Sequence, residues 1–502
     1  MRKAFAMLFI LALLGAALVA SSRDPQADGR LKTAYRLPAQ NGWTYVHLEG
    51  TPSEIGFQHG YWLAREIEDF QKVVALELGH DTTRDWSFFR GAAERVLWPH
   101  VEQEYRDELQ GLASGLAARG VKLDLWDVVA INAYSEWGYY TRVYDKQHGG
   151  GSLPRSIGVP PASGRGQELA LIPQLREKDG RPTGAAEHCS AFVATGSYTQ
   201  DGRVVIAHNN WTSYLGGERW TVIFDIAPAA GYHILMDGLP GLIHSGDDFG
   251  INSAGILITE TTISGFSGYD ATAIPEFVRA RKAMQYSASI DDFVRIMEEG
   301  NNGGYANDWL VADRKSNEIA SLELGLKNVT LERKKDGYFV GSNFPISEKL
   351  AAEETDFAMK DMGASANARH RRWDQLMAEN KGRIDVEAAK RFLADHVDTY
   401  TGKEEPSERT LCGHVDLSPR GLPTWEPPYG IAGAVQNKVA DAALAERMSF
   451  VAAAGHACGI DFKAAAHLAQ HPQFVWQKGL LGDMNAYPWT VFKAQSRQVD
   501  SR

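Results

Sequence analysis

The sequence predicts an α+β protein with antiparallel sheets, and three observations carry that expectation. Residues from about Ser53 to Tyr140 repeat apolar side chains at helical spacing, and a dense run of strand signals opens at Cys189. No strand–helix–strand alternation dominates, so a parallel doubly wound sheet is not expected. With 502 residues, 44% of them hydrophobic and 23% charged, the chain has enough apolar material for a sizeable core. The formal net charge of −11, with both signs interspersed, speaks against a nucleic-acid partner.

In chain order, Met1-Arg2-Lys3, an apolar stretch to Ala20 and the small Ser21-Ser22 have the layout of a secretory signal peptide over 1–22. That run is short for a membrane span and no later segment reaches ~18 consecutive apolar residues. The expected mature protein is therefore exported (secreted, periplasmic or lysosomal, depending on the host) with no stable span. The segment 23–188 reads as mainly helical. Thr51-Pro52-Ser53 caps a helix whose apolar face includes Ile55, Phe57, Tyr61, Trp62 and Ile67. Further helices are expected over Val101–Leu116 and about Leu123–Tyr134. From about 148 to 188 the chain turns to Gly149-Gly150-Gly151, Pro160-Pro161 and Asp179-Gly180-Arg181-Pro182, the composition of a surface linker with at most a short helix near Glu168–Arg176.

Strand signals follow at once. Ala191–Thr195 and Arg203–His208 flank an Asp201-Gly202 hairpin signal. More strands are expected at Trp220–Ile226, Tyr232–Met236, Gly255–Thr262, Trp309–Asp313, Ile319–Leu324 and Gly337–Gly341. Helices are expected over Pro275–Tyr286, Ile290–Glu299, Asn367–Glu379 and Val386–Ala394, and a loop-rich tail from Thr399.

The chain contains three cysteines, Cys189, Cys412 and Cys458, too few for a disulfide scaffold. A bridge between Cys412 and Cys458 would leave Cys189 as an odd thiol, the case that asks for a function. By itself Cys189 is open to two readings, a small buried core side chain or a nucleophile. There is no Gly-x-Ser-x-Gly elbow, Walker loop, His-Glu-x-x-His or Cys-x-x-Cys, so neither a metal nor a cofactor is expected. His208 and His244 stand apart from acidic residues in sequence and lack ligand spacing. Two glycosylation sequons begin at Asn210 and Asn328.

Several runs occur together in a recognisable order: Thr51-Pro52-Ser53-Glu54-Ile55-Gly56, Cys189-Ser190-Ala191, Ala207-His208-Asn209-Asn210-Trp211 and Glu260-Thr261-Thr262. They are followed by Asn301-Asn302-Gly303-Gly304, Gly341-Ser342-Asn343-Phe344-Pro345 and Pro472-Gln473-Phe474-Val475-Trp476. In this ordered set the chain resembles the phospholipase B-like proteins and, more distantly, the penicillin acyltransferase-like branch of the N-terminal nucleophile (Ntn) hydrolases. The resemblance implies a four-layer αββα fold and self-cleavage between His188 and Cys189. It implies one domain built from two chains, 23–188 and a catalytic 189–502. Cys189 would be the nucleophile and its freed α-amine, with an intrinsic pKa of ~8, the base. By position, His208, Trp211 and Thr261 would line the site, Asn343 would donate to the oxyanion, and Arg369 would balance charge beside the nucleophile.

The uncleaved linker would cross the site and occlude it. Trp211, Tyr214, Trp220 and Phe266 suit an apolar acyl pocket. Where distant cysteine amidases of the fold carry Arg and Asp after the nucleophile, this chain has Ala207-His208-Asn209, so the resemblance does not name the substrate. The implied activity is hydrolysis of an amide or ester in a small-molecule acyl substrate, a lipid or an amide. The alternatives are an acyltransferase using the same thioester and a non-catalytic lipid-binding protein whose self-cleavage is only maturation.

Overall fold

The computed structural model describes residues 28–149, 189–423 and 425–495. The expected signal peptide, most of the expected linker with its short helix, and His188 lie outside the described residues.

Two short strands, β1 (Tyr35–Arg36) and β2 (Thr44–Gly50), precede helix α1 (Pro52–Trp62). That helix begins at the expected cap. Glu54 N–H donates to Thr51 Oγ1, the Glu54 carboxylate accepts from Thr51 N–H at 2.8 Å, and Pro52 sits in the first turn, where its missing N–H is not needed. Helices α2 (Ala64–Thr82), α3 (Gln103–Ala118), α4 (Leu125–Asn132) and α5 (Trp137–His148) complete the N-terminal helical layer. The expected helix near Leu123–Tyr134 is α4, capped by Asp124, and a further helix, α5, follows it after a turn at Tyr134–Glu136.

Helices α1 and α3 cross at glycines. A Cβ on Gly56 would lie 1.8 Å from Glu108 O, and one on Gly111 would lie 2.3 Å from Ser53 O. Neither obstacle is a side chain that could rotate away. Gly56→Ala is therefore expected to destabilise the fold by about 3 kcal/mol, the upper end for overpacking, read as a lower urea midpoint.

The second half opens with β3 (Ser190–Thr195) and β4 (Val205–Ser213), followed by β5 (Val222–Pro228), β6 (Ile234–Gly238), β7 (Gly250–Asn252) and β8 (Ile256–Thr262). Helices α6 (Glu276–Tyr286) and α7 (Ile290–Glu298) lead to β9 (Asn307–Asp313), β10 (Glu318–Leu324), β11 (Val329–Lys334) and β12 (Gly337–Gly341). After α8 (Ser365–Glu379) and α9 (Val386–Leu393) come the ribbon β13 (Val397–Asp398) and β14 (Lys403–Glu404). Three strands close the chain: β15 (Ala432–Asp441), β16 (Ser449–Ala454) and β17 (Thr490–Lys493).

These strands form a nine-stranded sheet, β1-β2-β5-β6-β7-β8-β9-β10-β11, and a six-stranded sheet, β12-β3-β4-β15-β16-β17. Period-two alternation puts Ala191, Val193 and Ile206 of the small sheet against Ile223, Leu257 and Leu310 of the large one. The other face of the large sheet (Val46, Phe224, Ile258, Val311) packs on the N-terminal helices and on α6 and α7. The other face of the small sheet (Phe192, Ala207, Val439) packs on Trp373, Leu376 and Phe392 of α8 and α9. The layers are therefore helix, sheet, sheet, helix, and both halves of the chain share the first core.

The structure refines the expected picture at four points. The sheets are not wholly antiparallel: β2 pairs in parallel with β5, from Thr44↔Val222 to Gly50↔Pro228, because the whole helical layer intervenes and gives the crossover its length. The expected hairpin forms, β3 pairing antiparallel with β4, and Asp201-Gly202 lies in a connection whose first turn is the 3-10 segment Gly196–Tyr198. The tail is loop-rich as expected, but it also supplies β15, which lies inside the small sheet between β4 and β16. Both sequon asparagines are buried, Asn210 completely, and Asn328 Nδ2 donates to Glu353 and Glu354, so neither presents an amide to a glycosylating enzyme in the folded chain.

One buried carboxyl ties the helical layer to the end of β4. Glu77 on α2 accepts from Tyr134 Oη at 2.7 Å and from Ser213 Oγ. Burial pushes its pKa up to about 7, against the pull of those two hydroxyls. A raised carboxyl contributes stability that is complete below the ordinary value of 4.5 and is lost as pH rises through about 7. Glu77→Gln is expected to remove that part of the pH dependence, up to ~3 kcal/mol, seen as a flatter plot of urea midpoint against pH.

Candidate active site

Cys189 is fully buried immediately ahead of β3, and both of its backbone polar groups are held by side chains. Its N–H donates to Asn343 Oδ1 at 3.0 Å, and its carbonyl accepts from Arg369 Nη1 at 2.5 Å. The Arg369 fork continues to Asn343 Oδ1 at 2.9 Å, Ser190 Oγ at 3.1 Å and Ser365 Oγ at 3.0 Å. Asn343 follows β12, which pairs with β3, and has a left-handed φ of 64°, a conformation in which asparagine is enriched. Its Nδ2 donates to Thr262 O at 2.8 Å, which fixes the amide and leaves Oδ1 facing Cys189. The thiol lies 4.0 Å from Asn210 Oδ1.

Arg369 stands one turn into α8, completely buried, with its guanidinium 4.4 Å from the Trp211 ring centroid. Burial presses its pKa down to about 9, opposed by the Cys189 sulfur, so it remains a cation at neutral pH. Its neighbours separate cleanly: Arg371 reaches Met362 at the surface, and Arg372 pairs with Asp395.

The two expected site residues on β4 face opposite ways. Trp211 shares the outer face with Ala207 and packs on Cys412 and Ala434. His208 shares the inter-sheet face with Ile206, where its ring nitrogen and the Cys189 sulfur lie within 4.8 Å of each other and of a Glu260 carboxylate oxygen. Neither His208 nitrogen has a hydrogen-bond partner within normal range. Burial, aided by the Lys438 cation, holds His208 well below its ordinary pKa despite Asp247, so its imidazole is neutral. Thr261 lies on β8 against Gly341, whose Cβ would meet Thr261 Cγ2 at 2.5 Å, and its hydroxyl is buried without a partner. The Thr262 hydroxyl, Asn210 Nδ2 and the Asn307 amide are in the same condition. Of these residues, His208 and Asn210 lie against the thiol itself.

Behind His208 sits a buried charge network that sequence spacing did not reveal. Lys438 lies across from His208 in the β4–β15 register and donates to Asp247 and, at 3.2 Å, to Asp237. Gln436 Nε2 donates to the same two carboxylates at 2.7 Å. His208 Nδ1 is 3.6 Å from Asp247. Burial and the second carboxylate push Asp237 up, whereas Lys438, against the effect of burial, holds Asp247 down. His244 likewise lies 3.5 Å from Asp248 and 3.8 Å from Glu276, so neither histidine is remote from carboxylates once the chain folds.

The structure brings Cys189, Asn343, Arg369 and His208 together, sets Thr261 beside them, and puts Trp211 on the outer side as the surface under Arg369. It does not assemble the expected acyl pocket. Trp211, Tyr214, and the pair Trp220 and Phe266 fall into three separate cores. Asn210 was missed as a site residue, although period two from His208 puts it on the thiol's side of β4.

A family model described as Phospholipase B matches residues 90–488. An uncharacterised protein of Archaeoglobus fulgidus is 24% identical over 382 residues, covering 70% of this chain and 58% of that protein. The putative phospholipase B-like 2 of Rattus norvegicus is 25% identical over 368 residues, covering 62% of this chain and 59% of that protein. The chain therefore spans less than two-thirds of the length of these relatives. Among solved structures, penicillin V acylase from Agrobacterium tumefaciens aligns over 53% of this chain and 83% of its own, with a TM-score of 0.29 and 15% identity. The layer order given above rests on this chain's own sheets and cores. The family match covers most of the chain and includes Cys189, Asn343 and Arg369, and by it the chain belongs to the phospholipase B family.

Proposed function

We propose that this protein is a self-processing Ntn cysteine hydrolase that cleaves an amide or ester bond of an acyl substrate. The observation that carries this reading is the clamp on Cys189: its nitrogen on Asn343 Oδ1 and its carbonyl on Arg369, with the thiol among unpaired polar atoms. A buried structural cysteine needs no side chains to orient its backbone amide; a residue whose nitrogen becomes the catalytic base does.

In the first reaction the Cys189 sulfur attacks the His188 carbonyl carbon. The C–S bond forms, the peptide C–N bond breaks, and the nitrogen takes the thiol proton as it leaves. Water then hydrolyses the thioester, giving a carboxylate on His188 and restoring the thiol. In turnover the freed amine takes the thiol proton as sulfur attacks the substrate carbonyl, then returns it to the leaving alcohol or amine. Water resolves the acyl-enzyme by the same route. Asn343 Oδ1 orients the amine, and the second hydrogen of its Nδ2 faces the developing oxyanion together with Thr261. Neutral His208 offers a hydrogen bond without adding charge, and Arg369 favours the thiolate electrostatically.

N-terminal sequencing of the mature protein tests the reading. A chain beginning at Cys189 is the expected result. A fully active protein with residues 188 and 189 still joined overturns it. Fractionation of the native host, with the first residue of the smaller fragment, tests export and removal of residues 1–22. Among the described residues, no helix is long and apolar enough to cross a membrane.

A further inference from the structure

Four thiol and imidazole side chains, far apart in sequence, meet on the outer side of the small sheet. His396 follows α9, Cys412 and His414 flank Gly413 ahead of the turn Val415–Leu417, and Cys458 follows β16. Each offers one ligand atom, and those four atoms all lie within 4.8 Å of one another. Cys412 and His414 are fully buried, and the bridge left open between Cys412 and Cys458 is not formed. From these residues we propose a tetrahedral Cys2His2 site for a zinc-class divalent cation, independent of the chemistry at Cys189.

The distances argue for it. His414 Nε2 is 3.6 Å from Cys412 Sγ and 3.4 Å from Cys458 Sγ. A tetrahedral zinc with bonds of about 2.3 Å to sulfur and about 2.0–2.1 Å to nitrogen separates its S and N ligands by about 3.5 Å. Hydrogen bonding alone leaves the cluster unbalanced. The single His414 Nε2 carries at most one proton and faces two sulfurs, so it can donate to no more than one of them. A cation at the centre would satisfy all four groups at once.

The donor types select the ion. Two thiolates and two imidazoles suit zinc and reject calcium and magnesium, which take oxygen. With four protein ligands and no place left for water, the site is structural rather than catalytic. It is also braced from outside. Asp416 Oδ1 lies 3.8 Å from His414 Nδ1, His456 stacks on the His414 ring at 3.9 Å, and the Cys412 N–H donates to Asp395 O at 3.1 Å. The sequence shows none of this because the ligands come from three segments, and only Cys412-Gly413-His414 is local.

The site has a place in the architecture. Leu411, next to Cys412, accepts from Trp211 Nε1 at 3.2 Å and from Asn209 Nδ2 at 2.9 Å. Trp211 packs on Cys412 and carries the Arg369 guanidinium on its ring. The metal would thus pin the wall on which Arg369 rests, tying the loop after α9 to the end of β16.

The test uses the full, untagged chain purified without chelator, with zinc and cobalt ions as the probes. About one zinc per chain is expected by elemental mass spectrometry. Chelation under reducing conditions should remove it, and Zn2+ alone should restore it. Co2+ added to the stripped chain should produce the sulfur-to-cobalt charge-transfer band and the intense visible bands of a tetrahedral S2N2 site. Cys458→Ser and His396→Ala are each expected to weaken zinc binding at least tenfold, whereas Cys189→Ser leaves it unchanged. A reduced wild-type chain that takes up no zinc and shows no cobalt–sulfur band overturns the proposal. So does a Cys412–Cys458 disulfide in the native, metal-free protein. The cobalt spectrum of the wild type decides the matter even if the ligand variants do not fold.

Discussion

Cys189→Ala is expected to leave one chain on a denaturing gel where the native protein gives two. The same variant should lose acyl hydrolysis by a factor on the order of 10³–10⁶, the range seen when an enzyme's nucleophile is removed. Neither loss should come from unfolding. Alanine fits where the thiol was, and the clamp from Asn343 and Arg369 holds the backbone of residue 189, not its side chain. Far-ultraviolet circular dichroism and the urea midpoint should therefore stay close to wild type, within ~1 kcal/mol for the atom removed. Cys189→Ser separates the two reactions: a hydroxyl can still attack the His188 carbonyl carbon but is the weaker nucleophile, so slow self-cleavage over hours is expected. If Cys189→Ala still splits at residue 189, a different group breaks the bond and the proposed chemistry fails.

The second large effect is at Arg369. Its guanidinium donates to the Cys189 carbonyl, Asn343 Oδ1, Ser190 Oγ and Ser365 Oγ, all buried. Arg369→Met keeps most of the volume and removes every one of those donors. Several buried acceptors are then unpaired at ~1–3 kcal/mol each, so a net destabilisation of roughly 3–5 kcal/mol is expected by urea unfolding. Self-cleavage should slow by ~10²–10³, because Asn343 loses the partner that aims it and the thiolate loses the cation held against its own backbone. Arg369→Lys restores a charge but one point donor instead of a fork, so it should recover part of the rate and little of the stability. A lysine variant as stable as wild type would mean that charge, not geometry, is what the position supplies. The substitutions Arg371→Met and Arg372→Met, on the same helix, should leave cleavage unchanged.

How far the sequence could be read depended on where the signals came from. The Thr51–Glu54 cap, α7 and β12 are set by neighbours within a few residues, and they form where expected. Cys189 was recognisable because turn-rich composition stops there and a strand begins. By contrast β15 has Gln436-Asn437-Lys438 in its middle, which violates any apolar strand pattern. It lies at the centre of the sheet because Asp237 and Asp247, some 190 to 200 residues earlier, receive Gln436 and Lys438, while Asn437 Nδ2 donates to the Ala453 and Gly455 carbonyls. The same holds for Arg369: a basic helix run reads as a solvated face, and only the fold shows which guanidinium turns inward. Local rules see caps and periodicity; a buried polar network is visible only once its distant halves have met.

The parallel seam between β2 and β5 gives the proposed cleavage a further meaning. A cut at Cys189 would sever the peptide link but not the main-chain hydrogen bonds along that seam, nor the core that α1 to α5 share with the large sheet. The mature protein would behave as an obligate heterodimer made from one gene product. Its assembly would have been intramolecular, while its reassembly after unfolding would be a second-order encounter between two fragments. Recovery of the cleaved form should therefore depend on protein concentration, whereas refolding of the uncleaved Cys189→Ala chain should not. Cleavage would act as a thermodynamic ratchet: the enzyme folds easily once, and its lifetime is then governed by how slowly it comes apart.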